Sequence, residues 1–423
     1  MIWFLFKGLI RDRSRSFFPI LVVTLGVMLT VIMHAWFSGV LNDVIDSNAN
    51  FATGHVKIMS QAYAENEAQA PNDLALIGVE RLLLDLKHKY PDIDWTTRIQ
   101  FGGLLDIPDE KGETRSQSPV VGFAINLLDS ASMESQRLNI TNSLIRGSMP
   151  KKPGEILISE EIAQRLEVNP GEPATLISST MYNAMAMQNF IISGTIRFGI
   201  KAVDRGAMIA DLRDIQSVLD MQDAAGEILG FMKPIYHYEK ALEMTNTFNQ
   251  EFTNTNDEFS PIMLTLHDQN GLGEYLDLAK SMSGLMMAIF IIAMSIVLWN
   301  AGLIGGLRRY GEIGVRLAIG EFKGHLYRSL IAESILIAIM GTMLGTLLGL
   351  TISYIVQVKG VNFGALMNNS SVLISNIIRT RIMPKTYFIG LIPGLLSTVL
   401  GSMLSGIGIY KRQTAQLFKE LEV

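Results

Sequence analysis

The chain has 423 residues, no cysteine, 48% hydrophobic and 18% charged residues, and a formal net charge of −5. A soluble chain carries about a quarter charged residues, so this balance argues against a soluble protein. The missing cysteines exclude disulfide staples and cysteine lipidation. The charge deficit is local. Ser16–Asn42, Ser281–Leu307, Ser334–Val358 and Thr386–Tyr410 hold no Asp, Glu, Lys or Arg over 27, 27, 25 and 25 residues. A bilayer core ~30 Å thick takes about 20 apolar residues as a helix, with every backbone group satisfied internally. The expected fold is an α-helical membrane protein with four transmembrane helices and a large α+β extracytoplasmic domain inserted between helices 1 and 2.

In chain order, residues 1–15 read as an amphipathic in-plane helix, with Trp3, Phe4, Phe6, Leu9 and Ile10 on its apolar side. Residues 16–42 form transmembrane helix 1. The run is too long for a signal-peptide core and no small-x-small cleavage site follows, so it reads as a retained anchor. Residues 43–280 form the outer domain, with 34 acidic and 19 basic residues, a net −15. Strands are expected at His55–Met59, Trp95–Phe101, Pro119–Ile125, Ala174–Ser178, Phe190–Ile196 and Gly206–Ala210. Helices are expected at Leu74–Lys89, Ser159–Glu167, Leu212–Met221 and Glu239–Phe252. Pro108–Ser118 and Asn169–Pro173 read as loops, and the domain as two-lobed.

Transmembrane helix 2 follows at 281–307, then a polar segment at 308–328 and transmembrane helix 3 at 329–358. A loop at 359–385, transmembrane helix 4 at 386–410 and a tail at 411–423 complete the chain. Helix 3 carries Gly341, Gly345 and Gly349 at four-residue spacing, one face that admits a neighbouring backbone, in the same subunit or in a second one. Glu333 at its end calls for a partner or for snorkelling to the interface. Basic residues near the spans set orientation. Lys7, Arg11, Arg13 and Arg15, then Arg308, Arg309, Arg316, Lys323 and Arg328, then Lys411, Arg412 and Lys419 place both termini in the cytoplasm. Lys359, Arg379, Arg381 and Lys385 run against that rule. Their loop is expected to meet anionic lipid or the acidic domain.

No phosphate-cradling G-x-x-x-x-G-K-[ST], H-E-x-x-H or G-x-S-x-G occurs, and the six histidines show no metal spacing. Neither catalytic residues nor a metal site are expected, and no basic patch with aromatics points to nucleic acid. The informative segment is Arg308–Arg328. It offers a short amphipathic helix with Ile313, Leu317 and Phe322 apolar and Glu312, Arg316 and Lys323 polar.

That segment resembles the signature of the MacB/FtsX/LolC-type permeases of ABC transporters, roughly R-x-x-E-I-G-[VL]-x-x-A-x-G followed by Glu-Ser and a glycine ladder. The matches are Arg309, Glu312, Ile313, Gly314, Val315, Ala318 and Gly320, then Glu333-Ser334 and the three glycines. Gly311 stands where the family often has a charge. Gly54–Ile58, Pro153–Glu160 and Phe190–Thr195 resemble strands and a turn of the family's outer domain.

The resemblance implies two paired permease subunits, identical or related. Each binds a cytoplasmic ABC ATPase that holds the ATP and Mg, with no cofactor in this chain. Arg309, Glu312, Ile313, Gly314, Arg316, Ala318 and Gly320 are the implied ATPase-coupling residues. ATPase closure would be passed to the outer domain, where cargo is handled. A domain of this size is most like that of the lipoprotein-releasing permeases of the bacterial inner membrane, with the large domain periplasmic. Val40, Leu41, Met282 and Leu285 are then candidate cargo contacts. In those permeases a carrier-docking hook precedes the strand corresponding to Phe190–Thr195. Here that stretch, Ser178–Asn189, is short and methionine-rich, with Met181, Met185 and Met187 as candidate carrier contacts or a plain hairpin. Efflux from the periplasm is the alternative. A ligand sensor is the other class, though Lys411–Val423 offers it no output domain.

Overall fold

The computed structural model describes residues 13–198, 201–232, 236–254, 256–269, 271–362 and 377–411. The chain divides into two compact units, one built on Val44–Asp277 and the other on the segments before and after it. Helix α1 (Arg13–Asn48) is uninterrupted and passes into a π turn, Ala49–Thr53, that stops at Gly54 with φ +61°. The helix thus continues beyond Asn42. Arg13–Arg15 begin α1 rather than ending an in-plane helix, whose remaining residues lie outside the described ones.

The outer unit opens with β1 (Val56–Ser60), fully buried. Leu76–Ile77 follow as a two-residue strand on Ala224–Ala225, and α2 runs Val79–Lys89. The helix expected from Leu74 therefore starts five residues late, because Gly78 sits at φ +74°, outside the right-handed helical region. Two long strands, β2 (Ile93–Pro108) and β3 (Thr114–Ile125), form a hairpin. Most of the loop expected at Pro108–Ser118 is strand, and the turn is only Asp109–Glu113, where the Asp109 carboxylate accepts from the N–H groups of Lys111 and Glu113. Next come β4 (Leu144–Gly147), β5 (Glu155–Ser159), α3 (Glu160–Leu166), β6 (Pro173–Ser179), β7 (Met185–Ile196), β8 (Ala207–Asp211) and α4 (Leu212–Val218). The unit ends with β9 (Glu227–Met232), α5 (Tyr238–Phe252) and β10 (Pro261–Thr265).

The strand order is β10-β1-β9-β2-β3-β8-β5-β7-β4, and β6 bridges β2 and β7. The ladder β2-β3-β8-β5-β7-β6 therefore closes on itself as a six-stranded barrel, with β3/β8 and β5/β7 parallel. Closure removes the sheet edges that would otherwise invite pairing. Two lobes are present, and they share β2. Its first half, Ile93–Arg98, pairs with β9 of the platform β10-β1-β9, and from Ile99 onward it pairs with β3 of the barrel. The lobe boundary crosses this strand at Arg98.

The membrane unit adds α6 (Leu272–Leu307), α7 (Tyr310–Ala318), α8 (Lys323–Lys359) and α9 (Thr398–Lys411). Four stretches, Phe17–Thr53, Leu272–Ala318, Lys323–Lys359 and Pro384–Tyr410, are helical and apolar enough to cross a membrane. Residues 323–328, the end of the polar segment expected at 308–328, are the first turns of α8. The fourth stretch is irregular. It begins as a 3-10 turn, Pro384–Tyr387, and widens into a π segment, Ile392–Ser397, that contains Pro393.

Gly341, Gly345 and Gly349 face α1. A Cβ on each would lie 2.7, 2.8 and 2.8 Å from the Cβ of Val23, Val27 and Val31. Three buried valines at four-residue spacing thus fill a groove made by three glycines at the same spacing, within one subunit. The segment at 379–386 lies against α1 and α8. The Arg379 N–H donates to the Asp43 carboxylate (3.0 Å), the Arg381 N–H to the Ala35 carbonyl (2.8 Å) and the Thr380 hydroxyl to the Ser353 carbonyl (2.5 Å). Asp43 of α1 thus meets this basic segment.

Candidate functional site

Helix α7 ends because Gly320, at φ +100°, takes the left-handed position that closes a helix. The Glu321 N–H then returns to the Arg316 carbonyl (3.0 Å) and the Gly320 N–H to Leu317 (3.1 Å). Tyr310, Ile313 and Leu317 form the inner stripe and pack on Leu326 and Leu330 of α8 and Ile409 of α9. The Tyr310 hydroxyl donates to the Ser405 carbonyl, and its ring lies where any side chain at position 408 would stand, so glycine is required there. Arg309 grips both carboxylate oxygens of Glu333, which leaves Glu333 paired rather than snorkelling.

The outer stripe is different. Glu312 and Arg316 pair one turn apart at 3.1 Å, both half exposed. Around them stand Val315, Ile319 and Phe322, the last two 81% and 84% exposed. The sequence-predicted coupling residues are therefore split. Glu312, Arg316, Ala318 and Gly320 are exposed, whereas Ile313 and Gly314 are buried and Arg309 is engaged with Glu333. Those three seat the helix against its neighbours. Ile319 was not singled out in the sequence. Its signal was available, because it lies off the 310/313/317 stripe and is larger than Val315 beside it.

In the outer unit, Ser178–Asn189 is a hairpin. Thr180 closes it by accepting from the N–H groups of Tyr182 and Ala184, and Asn183 takes φ +62°. Met185 and Met187 are 78% and 61% exposed, but Met181 is 7% exposed within the main core and is no contact residue. Met282 and Leu285 are exposed on α6, and Val40 and Leu41 are half-buried on α1. Among the described residues no group of His, Asp and Glu could hold a metal ion.

Residues 284–414 match the family model described as FtsX-like permease C-terminal. The chain carries an FtsX-like permease domain. The chain is 22% identical over 254 residues to the lipoprotein-releasing system transmembrane protein LolC of Xylella fastidiosa, in both strain 9a5c and strain Temecula1. Each match spans 58% of the chain and 58% of the relative's length. Among solved structures, the periplasmic region of MacB from Actinobacillus actinomycetemcomitans aligns with 52% of this chain and 91% of its own length, at TM-score 0.35 and 10% identity.

Proposed function

We propose that this FtsX-like permease is the membrane subunit of an ABC transporter. It couples a separate cytoplasmic ATPase, which binds the ATP and Mg, to the handling of lipoprotein cargo outside the bacterial inner membrane. The observation that carries this reading is the tip of α7: an apolar trio, Val315, Ile319 and Phe322, around the Glu312–Arg316 pair, on a helix whose opposite face is bolted to α8 and α9. A large apolar residue so exposed beside a charged pair suits a protein contact, and a rigid mount suits one that bears load. A second permease subunit, identical or related, completes the assembly, and both termini lie in the cytoplasm with the acidic domain periplasmic.

The test is replacement of Ile319 and Phe322 by Asp, singly and together. The variants insert normally, and the double variant loses at least tenfold in co-purified ATPase, while Met343→Asp on the exposed face of α8 loses insertion instead. Normal ATPase yield from the double variant would refute the assignment. Orientation is read separately. A cysteine at Glu110 is labelled by an impermeant reagent in spheroplasts, and one at Lys323 is protected.

Efflux of small molecules is the second reading. It is favoured by the compactness of the 180–184 turn, which offers little beyond Tyr182, Met185 and Met187 for a carrier to grasp.

A further inference from the structure

The end of α1 and its π turn leave carbonyls with no partner inside the helix, which must be satisfied elsewhere when buried. Two of them, Asn50 and Phe51, accept from the two terminal nitrogens of Arg98, each at 2.7 Å. The third arm of the same guanidinium, Nε, donates to Glu134 at 2.6 Å. Arg98 is 3% exposed and Glu134 fully buried. Glu134 is in turn held by Arg137 (2.8 Å), which pairs with Asp94 at the platform end of β2 and lies 4.0 Å over the Phe231 ring of β9. The Phe51 ring is clasped edge-on by Phe123 and Phe198, at 5.5 and 5.6 Å. Arg98 is also the residue at which β2 passes from platform to barrel. One side chain thus ties two carbonyls of the π turn that ends α1 to the strand common to both lobes.

We propose that Arg98 is the joint through which movement of α1 reaches both lobes of the outer domain. It is a positioning residue, and the proposal rests on the coupling function above. Three donors of one rigid fork are used at once, two on the helix end and one on a buried carboxylate. A lysine ammonium cannot reproduce that spread. The surrounding pairs hold the fork in place, and no other guanidinium among the described residues takes two carbonyls of α1 or its π turn.

The test uses the full chain and its ATPase in proteoliposomes. Arg98→Met combined with Glu134→Leu removes the fork and its counter-charge together. It leaves no buried charge alone, and Arg137 keeps Asp94 and the Phe231 ring. Arg98→Lys is the conservative comparison. Hydrogen exchange of the amides at 51–54 is expected to rise about tenfold in both variants, with β2 and β8 amides unchanged. ATP turnover stays at the wild-type rate, and release of a lipidated protein per ATP falls about tenfold. A purely structural role would lower the melting temperature and leave release per ATP intact. Unchanged exchange at 51–54, or wild-type release per ATP from either variant, overturns the proposal. A wild-type protein that pairs with no ATPase defeats the coupling function itself, and the exchange measurement still decides whether Arg98 holds the helix end.

Discussion

Glu333 lies in an apolar stretch that holds no other acid on α8, and a carboxylate at such a position is costly without a partner. Arg309 supplies it through two parallel hydrogen bonds, each partner about one-fifth exposed. Partial exposure keeps the pair's worth below that of a fully buried one, so Glu333→Gln should cost about 1–3 kcal/mol. The swap Arg309→Glu with Glu333→Arg should recover a measurable part of what either reversal loses alone, read as melting temperature in detergent. A second residue-level expectation concerns pH. Burial, with Arg137 nearby, lowers the His55 pKa to about 4. Its Nδ1 accepts from the Met232 N–H at 2.8 Å, so the ring is needed neutral, and Nε2 faces Asp46 at 4.0 Å. The folded state thus binds a proton less readily than the unfolded one. The contribution of His55 is complete above pH 6.5, lost progressively as pH falls to about 4, and constant below. It reaches roughly 3 kcal/mol at most. His55→Gln, which can still accept from Met232, should flatten the fall in melting temperature between pH 6.5 and 4.

At the scale of elements, the valine–glycine seam between α1 and α8 makes the sharpest demand. A Cβ at Gly345 would stand 2.6 Å from the Thr24 carbonyl oxygen and 2.8 Å from the Val27 Cβ. Lipid gives no hydrophobic drive between helices, so close packing carries their association. Gly345→Ala should lower the melting temperature, and Gly345→Leu should abolish assembly, whereas Gly284→Ala, which meets nothing, should be silent. The spans and the glycine face were legible because absence of charge and four-residue spacing survive any tertiary context. The partner of the seam was not, since Val23, Val27 and Val31 look like any apolar residues of a span. The barrel was hidden for a related reason: β3/β8 and β5/β7 pair residues far apart in sequence, and no local pattern encodes them. The strands Glu227–Met232 and Pro261–Thr265 were missed because one carries an inner glycine and the other opens on proline, both weak strand signals. In α7 the amphipathic pattern was readable, but which face docks was not. Ile313 looks as available as Ile319 until Leu326, Leu330 and Ile409 cover it.

For the whole molecule, the membrane unit offers little that could line a polar conduit. The described residues between Phe17 and Asn42 and within α6 after Lys280 carry no Asp, Glu, Lys or Arg, and Glu333 is neutralised by Arg309. If the unit transmits movement, cargo acyl chains should meet its outer surface. Photo-crosslinkers at Val40, Leu41, Met282 and Leu285 should capture a lipidated protein, and one at Leu298, packed against Val23, Val27 and Val31, should capture none. A drug adduct in place of the lipidated protein would shift the reading to efflux. The fourth membrane stretch has its own consequence for how the bundle holds its register. Before and within the π segment, Gly390 and Gly394 receive Val27 of α1; after it, Gly401 receives the Trp299 backbone of α6 and Ser405 fits against Gly306 of α6. A π turn holds one residue more than an α turn, and each residue advances a helix by about 100°. The inserted residue thus works as an azimuthal offset that lets one helix present separate small-residue stripes to two neighbours. Deleting Leu395 would leave composition and hydropathy almost untouched, yet turn the 401/405 stripe about a quarter-turn away from α6.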